Sequence, residues 1–293
     1  MLEYRAKRCG YEILLDSGQR KAAYPYLRSE TGDARMFSVG PQHGRSYVVG
    51  KDEKSGRFIV SKGNGLNFSH YSFLNTRELG LDIWGLLLEK DARRDFLVGR
   101  DVEALGIKTN RMEYVLQLED SFQSAEGETV HPVLLQYSVE CPYRVSDAAV
   151  MSGEQISREA AKWRLPDGNI PESGRRYVAA AEVLIRNLRL LHDHGVLHNA
   201  ISAQNYTWAL ELLDFELASS PEHPYEKDDY RRHIPTLMPR EIVHTYQVIM
   251  EIAACLREEI DFSLVDSVFR QYGFDLTEYA LVEYPYSFQI PIY

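Results

Sequence analysis

A long amphipathic segment in the second half of the chain leads directly into a polar loop. Residues from Arg175 to His194 show a helical period, with one apolar stripe. The stripe contains Val178, Ala181, Ile185, Leu188 and Leu191. Gly195 follows as a stop signal, and the loop contains His198 and Asn205 before a hairpin predicted through Trp208 to Asp214. Packing in the core explains this stripe without a ligand.

The first half of the chain has the composition of a small sheet with one main helix. Residues 44–62 predict a β-hairpin, because apolar and β-branched residues flank a polar turn. A helical pattern runs from about 82 to 105. Two further strands are predicted from Met112 to Leu118 and from Val133 to Val139, which are rich in Val, Leu and Tyr.

After about residue 141 the pattern becomes mostly helical. Besides the long helix, the sequence predicts a helix from Gly153 to Leu165, a loop over 220–235, a helix opening at Pro239, a shorter helix near 263–271 and an extended Tyr-rich end from Tyr279 to Tyr293. We therefore predict an α+β protein with a β-rich N-lobe, residues 1–140, and an α-rich C-lobe, residues 141–293.

The charge balance narrows the classes of ligand and partner. The 293 residues include 43 acidic and 33 basic side chains, a formal charge of −10. Such a surface repels nucleic acid, so a phosphate ligand must be small and locally bound.

The three cysteines are far apart and predict neither a disulfide framework nor a zinc knuckle. Without a signal peptide or a long apolar run, we expect a cytoplasmic protein with no membrane contact. The oligomeric state is left open.

Two polar residues of the loop and hairpin suit a metal ion. The Asn205 amide oxygen and the Asp214 carboxylate, on adjacent strands of the predicted hairpin, are oxygen ligands that can share one divalent cation. The run from His198 through Asn205 to Asp214 resembles the catalytic and magnesium loops of the protein-kinase fold. Two positions depart from that pattern, since Ala200 replaces the catalytic Asp and Glu216 replaces a Gly.

Four stretches resemble the selenoprotein O family in the same order. They are GRSYVVG at 44–50, GRFIVSKGNG at 56–65, RDFL at 94–97 and LGIKTNR at 105–111. The resemblance implies a kinase-like two-lobed fold that binds ATP in a flipped orientation with Mg²⁺ or Mn²⁺. It also implies transfer of AMP, or less readily phosphate, to a hydroxyl of a protein or peptide acceptor.

The resemblance also implies roles for individual residues. Lys62 would bind phosphate and Asp95, where the family has Glu, would be its ion-pair partner. Arg144 would contact phosphate as well. Asn205 and Asp214 would be the metal ligands. The family's base position is Gln204 here and its second phosphate-binding arginine is Met151, so the acceptor proton would pass to water or to an acid such as Asp147 or Glu216.

Three alternatives stay open on the sequence alone. Ala200, Gln204 and Met151 favour a catalytically inactive pseudokinase that serves as a scaffold or regulator, with or without nucleotide. A small-molecule phosphotransferase is a weaker alternative, because such enzymes need the Asp that Ala200 replaces. A zinc site is the third, since imidazoles at close spacing are common zinc ligands. Its candidate ligands are His192, His194 and His198.

Overall fold

The computed structural model describes most of the chain. The described residues are 1–18, 21–29, 31–40, 43–65, 85–123, 129–225 and 230–278. The predicted extended end from Tyr279 to Tyr293 lies outside them, as do residues 82–84 of the predicted first helix and 226–229 of the predicted loop.

Ten strands are present among these residues. They are β1 (Leu2–Arg8), β2 (Tyr11–Asp16), β3 (Tyr26–Arg28), β4 (Ala34–Ser38), β5 (Ser46–Lys51), β6 (Phe58–Lys62), β7 (Arg111–Leu118), β8 (Phe122–Gln123), β9 (Thr129–Val130) and β10 (Val133–Val139). Eight of them form one antiparallel sheet in the order β2-β7-β10-β6-β5-β4-β1-β3, and β8 pairs with β9.

Five α-helices accompany the sheet in the described part of the chain. They are α1 (Glu89–Ala104), α2 (Gly153–Ala160), α3 (Arg176–Asp193), α4 (Tyr230–Leu256) and α5 (Phe262–Gln271). Short 3₁₀ turns lie at Val145–Val150, Ala203–Asn205 and Leu276–Glu278. None of the described helices is long and apolar enough to cross a bilayer.

The predicted α+β class is confirmed, and so are several of its elements. The 44–62 hairpin is present as β5 and β6, and both later strands of the first half are present as β7 and β10. The long helix runs as α3, and its apolar stripe is buried except for Val178, which is half-buried. Helix α1 begins at Glu89, later than predicted, and packs on β7 and β10.

Three predictions for the second half were wrong in their bounds or type. Helix α2 ends at Ala160, short of Leu165. The hairpin before Asp214 is an irregular turn, with an isolated bridge between Tyr206 and Leu212 in place of two regular strands. Helix α4 begins at Tyr230, inside the predicted loop. Pro239 lies inside this helix, although a proline has no backbone N–H to donate. The helix continues past it because the apolar C-terminal half of α4 packs against α3.

Four strands near the N-terminus were not predicted. Strands β1 and β4 contain no β-branched residue, and β1 alternates apolar with charged side chains. In β1 only Ala6 is buried, so the hydrophobic signal is weak. These strands are held by pairing with partners distant in sequence, which local patterns do not report.

Gly63, the residue after β6, tests how closely the backbone packs against β10 at this point. Gly63 has a φ of +98°, and a Cβ added there would lie 2.7 Å from the Val133 carbonyl oxygen. We expect Gly63→Ala to lower the free energy of unfolding by about 2–4 kcal/mol, because a left-handed conformation and a backbone clash add together. Urea denaturation measures the change.

The matched control is Gly56, in the β5–β6 turn. Its φ is +69°, but a Cβ there would meet no atom within 4 Å. Gly56→Ala should therefore cost only about 1–2 kcal/mol, the cost of the left-handed conformation alone. Equal losses in the two variants would contradict the assigned clash.

Candidate functional site

Three carboxylates surround the last residue of β6. The Nζ atom of Lys62 lies 2.8 Å from Oδ2 of Asp95 and 2.8 Å from Oδ1 of Asp214. It also lies 2.7 Å from Oε1 of Glu216. The Lys62 side chain is only 3% exposed. A single buried ammonium thus balances several acids, a pattern common where a site binds charged ligands.

Asp95 joins three parts of the chain. It lies on the buried face of α1, and its Oδ2 accepts from Lys62 on β6. Its other oxygen, Oδ1, accepts a 2.9 Å hydrogen bond from the backbone N–H of Phe215, a fully buried residue. The contact predicted between Lys62 and Asp95 is therefore present, and the shorter acid still reaches the lysine.

The predicted metal ligands lie on neighbouring segments. The backbone N–H of Leu213 donates to the carbonyl oxygen of Asn205 at 2.8 Å, so Asn205 sits beside the residue that precedes Asp214. The Asn205 side chain donates from Nδ2 to the Ala200 carbonyl at 2.8 Å, which fixes its orientation. Asp214 has a φ of +69°, a conformation that non-glycine residues rarely adopt. Such strain is concentrated at functional positions.

Glu216 bridges two cations. Besides Lys62, it contacts Arg45, whose Nη2 lies 2.6 Å from each Glu216 carboxylate oxygen. Arg45 directly precedes β5, so the contact links the start of the hairpin to the segment after Asp214. The Glu216 side chain is 14% exposed.

The charges of this cluster depend on one another. Burial raises the pKa of Asp95 to about 6, with the Lys62 charge opposing the shift and Asp214 and Glu216 adding to it. Burial would also raise the pKa of Asp214, but Lys62 and nearby arginines outweigh it and hold that pKa well below its usual value. Burial would lower the pKa of Lys62, yet its acidic neighbours raise it. Lys62 and Asp214 are therefore both charged at neutral pH.

The acidic side chains have the chemistry of a divalent-cation site. One ligand oxygen from each of Asp95, Asp214 and Glu216 falls within 4.8 Å of the others. Carboxylate and amide oxygens are the ligands that Mg²⁺ and Mn²⁺ prefer. The donor types present, including the amide oxygen of Asn205, therefore fit the cation that the sequence predicts.

Arg144 lies at a small cavity next to the cluster. The side chain is half-buried, and within the described part of the chain its Nε atom is buried without a hydrogen-bond partner. The cavity measures about 10 Å³, room for about one water. It is lined by residues that include Val48, Val60 and Leu213. A nucleotide base would enter it only if these side chains moved.

A buried histidine–aspartate pair lies at the same cavity. His43 Nε2 is 2.6 Å from Asp147 Oδ2, and that oxygen also accepts from the backbone N–H of Arg144. Burial lowers the pKa of His43 despite the neighbouring carboxylate. Asp147 is therefore engaged in positioning the chain around Arg144, which disfavours its predicted use as an acceptor for the substrate proton.

The positions expected to hold a general base do not supply one. Ala200 donates its backbone N–H to Nδ1 of His198, and its side chain has no proton acceptor. Gln204 is exposed and neutral. Met151, at the family's second arginine position, is buried in the core and adds no charge.

The three loop histidines do not converge on one point. His192 pairs with Glu241 at 2.9 Å, and His194 bonds to a backbone carbonyl of α3. His198 contacts the Leu213 carbonyl through Nε2 at 2.8 Å, so its ring holds the backbone just before Asp214. Among the described residues the acidic cluster at Lys62 is the only group of three or more His, Cys, Asp or Glu side chains with ligand atoms this close. The zinc alternative is therefore not supported.

Sequence reasoning did not find the contact between Arg45 and Glu216. Arg45 lies in one of the four motif stretches, but the resemblance implies no ligand contact for it. Glu216 is expected only as the replacement of a glycine and as a possible acceptor for the substrate proton. The pairing joins positions 171 residues apart, which spacing does not reveal.

No family model matches this chain, and no curated protein matches it either.

Proposed function

We propose that this protein has a two-lobed protein-kinase-like fold, divided near residue 140, and binds ATP with Mg²⁺ or Mn²⁺. The observation that carries the proposal is the ammonium of Lys62 on a strand, paired with Asp95 on a helix and adjacent to Asp214. Kinase-type nucleotide sites use a strand lysine on the phosphates, a helix acid to position that lysine and an aspartate on the metal. The four motif stretches resembling selenoprotein O support the same class.

Each residue has a role in this proposal. Asn205 and Asp214 would hold the cation, which neutralises triphosphate charge when bound. Lys62 and Arg144 would hold phosphate oxygens, and Asp95 would keep the Lys62 ammonium in place. The positive side chains are few in a chain with a formal charge of −10, so the bound cation would have to neutralise most of the triphosphate charge.

The proposed reaction is transfer of AMP to a hydroxyl of a protein or peptide. The acceptor oxygen forms a bond to the α-phosphorus, the bond to the β-phosphate oxygen breaks, and pyrophosphate leaves. The acceptor proton passes to water, because Ala200 and Gln204 offer no base. Positioning and charge stabilisation supply most of the rate in such reactions, while a general base adds roughly 10²–10⁴-fold. Transfer of phosphate is the less favoured form of the same activity.

A second function is favoured by a specific observation. The Glu216 carboxylate already forms ion pairs with Lys62 and Arg45, and the nearby cavity has room for only about one water. A site closed in this way and lacking a base suits a pseudokinase that acts as a scaffold or regulator.

Labelled nucleotides separate these functions. The protein is incubated with ATP labelled at the α or the γ phosphate, with Mg²⁺ or Mn²⁺ and a protein acceptor such as casein, and label on protein is measured. We expect α label on the acceptor or on the protein itself, and its loss in Asp214→Ala. Asp101→Ala, an exposed aspartate on α1, is the matched control and should keep the activity.

Each other outcome points to a different conclusion. Label from the γ position alone would identify phosphate transfer. No label together with calorimetric binding of ATP would identify the scaffold function. If folded protein binds no ATP at all, the nucleotide-site proposal is wrong.

A further inference from the structure

The carboxylate of Glu216 makes the contacts that a phosphate group would make. It accepts from Nζ of Lys62 at 2.7 Å and from Nη2 of Arg45 at 2.6 Å. A guanidinium and an ammonium at these distances are the usual donors to phosphate oxygens. Glu216 and a ligand phosphate would therefore compete for the same hydrogen-bond donors.

Charge counting leads to the same conclusion. Lys62 and Arg45, two cations, are in contact with three carboxylates, those of Asp95, Asp214 and Glu216. A triphosphate that approaches these two cations therefore meets more carboxylates than cations in direct contact with them. With Glu216 withdrawn, Lys62 still has two carboxylate partners, while the contact that Nη2 of Arg45 makes with both Glu216 oxygens is lost and a phosphate oxygen can replace it.

We propose that Glu216 is an internal phosphate mimic that occupies the phosphate position on Lys62 and Arg45 and lowers the affinity of the site for nucleotides until it is displaced. This inference rests on the proposed nucleotide-binding function and adds a means of regulating the same site. A partner or modification that draws Glu216 away from Arg45 would open the site.

The expected size of the effect follows from populations. If Glu216 is withdrawn in roughly 1–10% of molecules, the apparent Kd for a phosphate ligand is about 10- to 100-fold above that of the open site. Removing the Glu216 charge should therefore lower the apparent Kd by about this factor. Because Lys62 stays paired with Asp95 and Asp214, the altered site should remain assembled.

Calorimetric titration tests the inference with ATP and with inorganic triphosphate, each in EDTA and in Mg²⁺. The proteins are the wild type, Glu216→Gln, Glu216→Ala and the control Glu154→Gln. Glu154 is exposed on α2, so its variant changes the net charge by the same amount away from the site. Circular dichroism establishes that each protein is folded.

We expect both Glu216 variants to bind ATP and triphosphate about 10- to 100-fold more tightly than the wild type, in EDTA as well as in Mg²⁺, with the Glu154 variant unchanged. If the wild type binds and both Glu216 variants bind equally well or more weakly, the mimic is disproved and the nucleotide site stands. If none of the four folded proteins binds either probe, the nucleotide site itself is disproved and the mimic with it.

Discussion

Replacing Lys62 by Met should lower the free energy of unfolding by about 3–5 kcal/mol near pH 7.5, measured by urea denaturation. The Lys62 side chain is 3% exposed and is the shared partner of Asp95, Asp214 and Glu216. Without it, buried carboxylates lose their main compensating charge, and burial of an uncompensated charge is strongly unfavourable. The same variant should lose nucleotide binding if the proposed site is right.

The pH dependence of this loss identifies its cause. With Lys62 removed, the pKa of Asp95, which burial already raises in the folded protein, rises further above its value in the unfolded chain, because the Lys62 charge no longer opposes the shift. A group with a raised folded pKa binds a proton on folding, so it costs stability at high pH and less as the pH falls. The deficit of the variant relative to the wild type should therefore shrink between about pH 7.5 and pH 5.

Two variants serve as references. Lys54→Met alters an exposed lysine in the β5–β6 turn and should change stability by less than about 0.5 kcal/mol. The double variant Lys62→Met/Asp95→Asn removes one of the uncompensated acids and should recover part of the loss. A deficit that stays constant with pH, or is not reduced in the double variant, would count against an electrostatic cause.

Replacing Arg57 by Met should have an effect of similar size, about 3–5 kcal/mol. Nη2 of Arg57 lies 2.6 Å from Oε1 of Glu211 and also donates to the Ser138 carbonyl at 2.9 Å. Glu211 is fully buried. Burial raises the pKa of Glu211, and the Arg57 charge opposes that shift. The pair connects the sheet to the irregular turn before Asp214, so its loss leaves a buried acid without its cation.

A neutral replacement of the partner should rescue this variant. In Arg57→Met/Glu211→Gln no charge is left buried, and the Gln oxygen can still accept from the backbone N–H of Glu140, as Glu211 does. We expect the double variant to be more stable than Arg57→Met alone. Arg93→Met breaks an exposed ion pair with Glu89 and should cost less than about 1 kcal/mol. Equal losses for Arg57→Met and Arg93→Met would show that burial does not set the cost.

The sequence predicted the parts of the fold that have local signals. The apolar stripe of α3 and the β-branched arms of β5 and β6 identified their own elements. Pro239 is typical of a helix start, but α4 begins at Tyr230, because packing against α3 stabilises a helix that contains this proline.

The candidate site was predicted in a similar way. The motif resemblance selected Lys62 and Asp95, which lie in contact, and Asp214, which lies against the same ammonium. The resemblance also selected Arg144 as a phosphate ligand, and the structure places that side chain at the neighbouring cavity. Whether these residues bind a nucleotide stays a prediction.

What the sequence alone determined is the set of elements with strong periodicity and the candidate residues for binding phosphate or a cation. The tertiary structure decided which of them meet. Strands β1 and β4 depend on pairing between distant segments, and Glu216 contacts Arg45 across 171 positions of the chain. Charge interactions between buried groups depend on distances in space, so the contacts of Glu216 with Lys62 and Arg45 follow only from the folded arrangement.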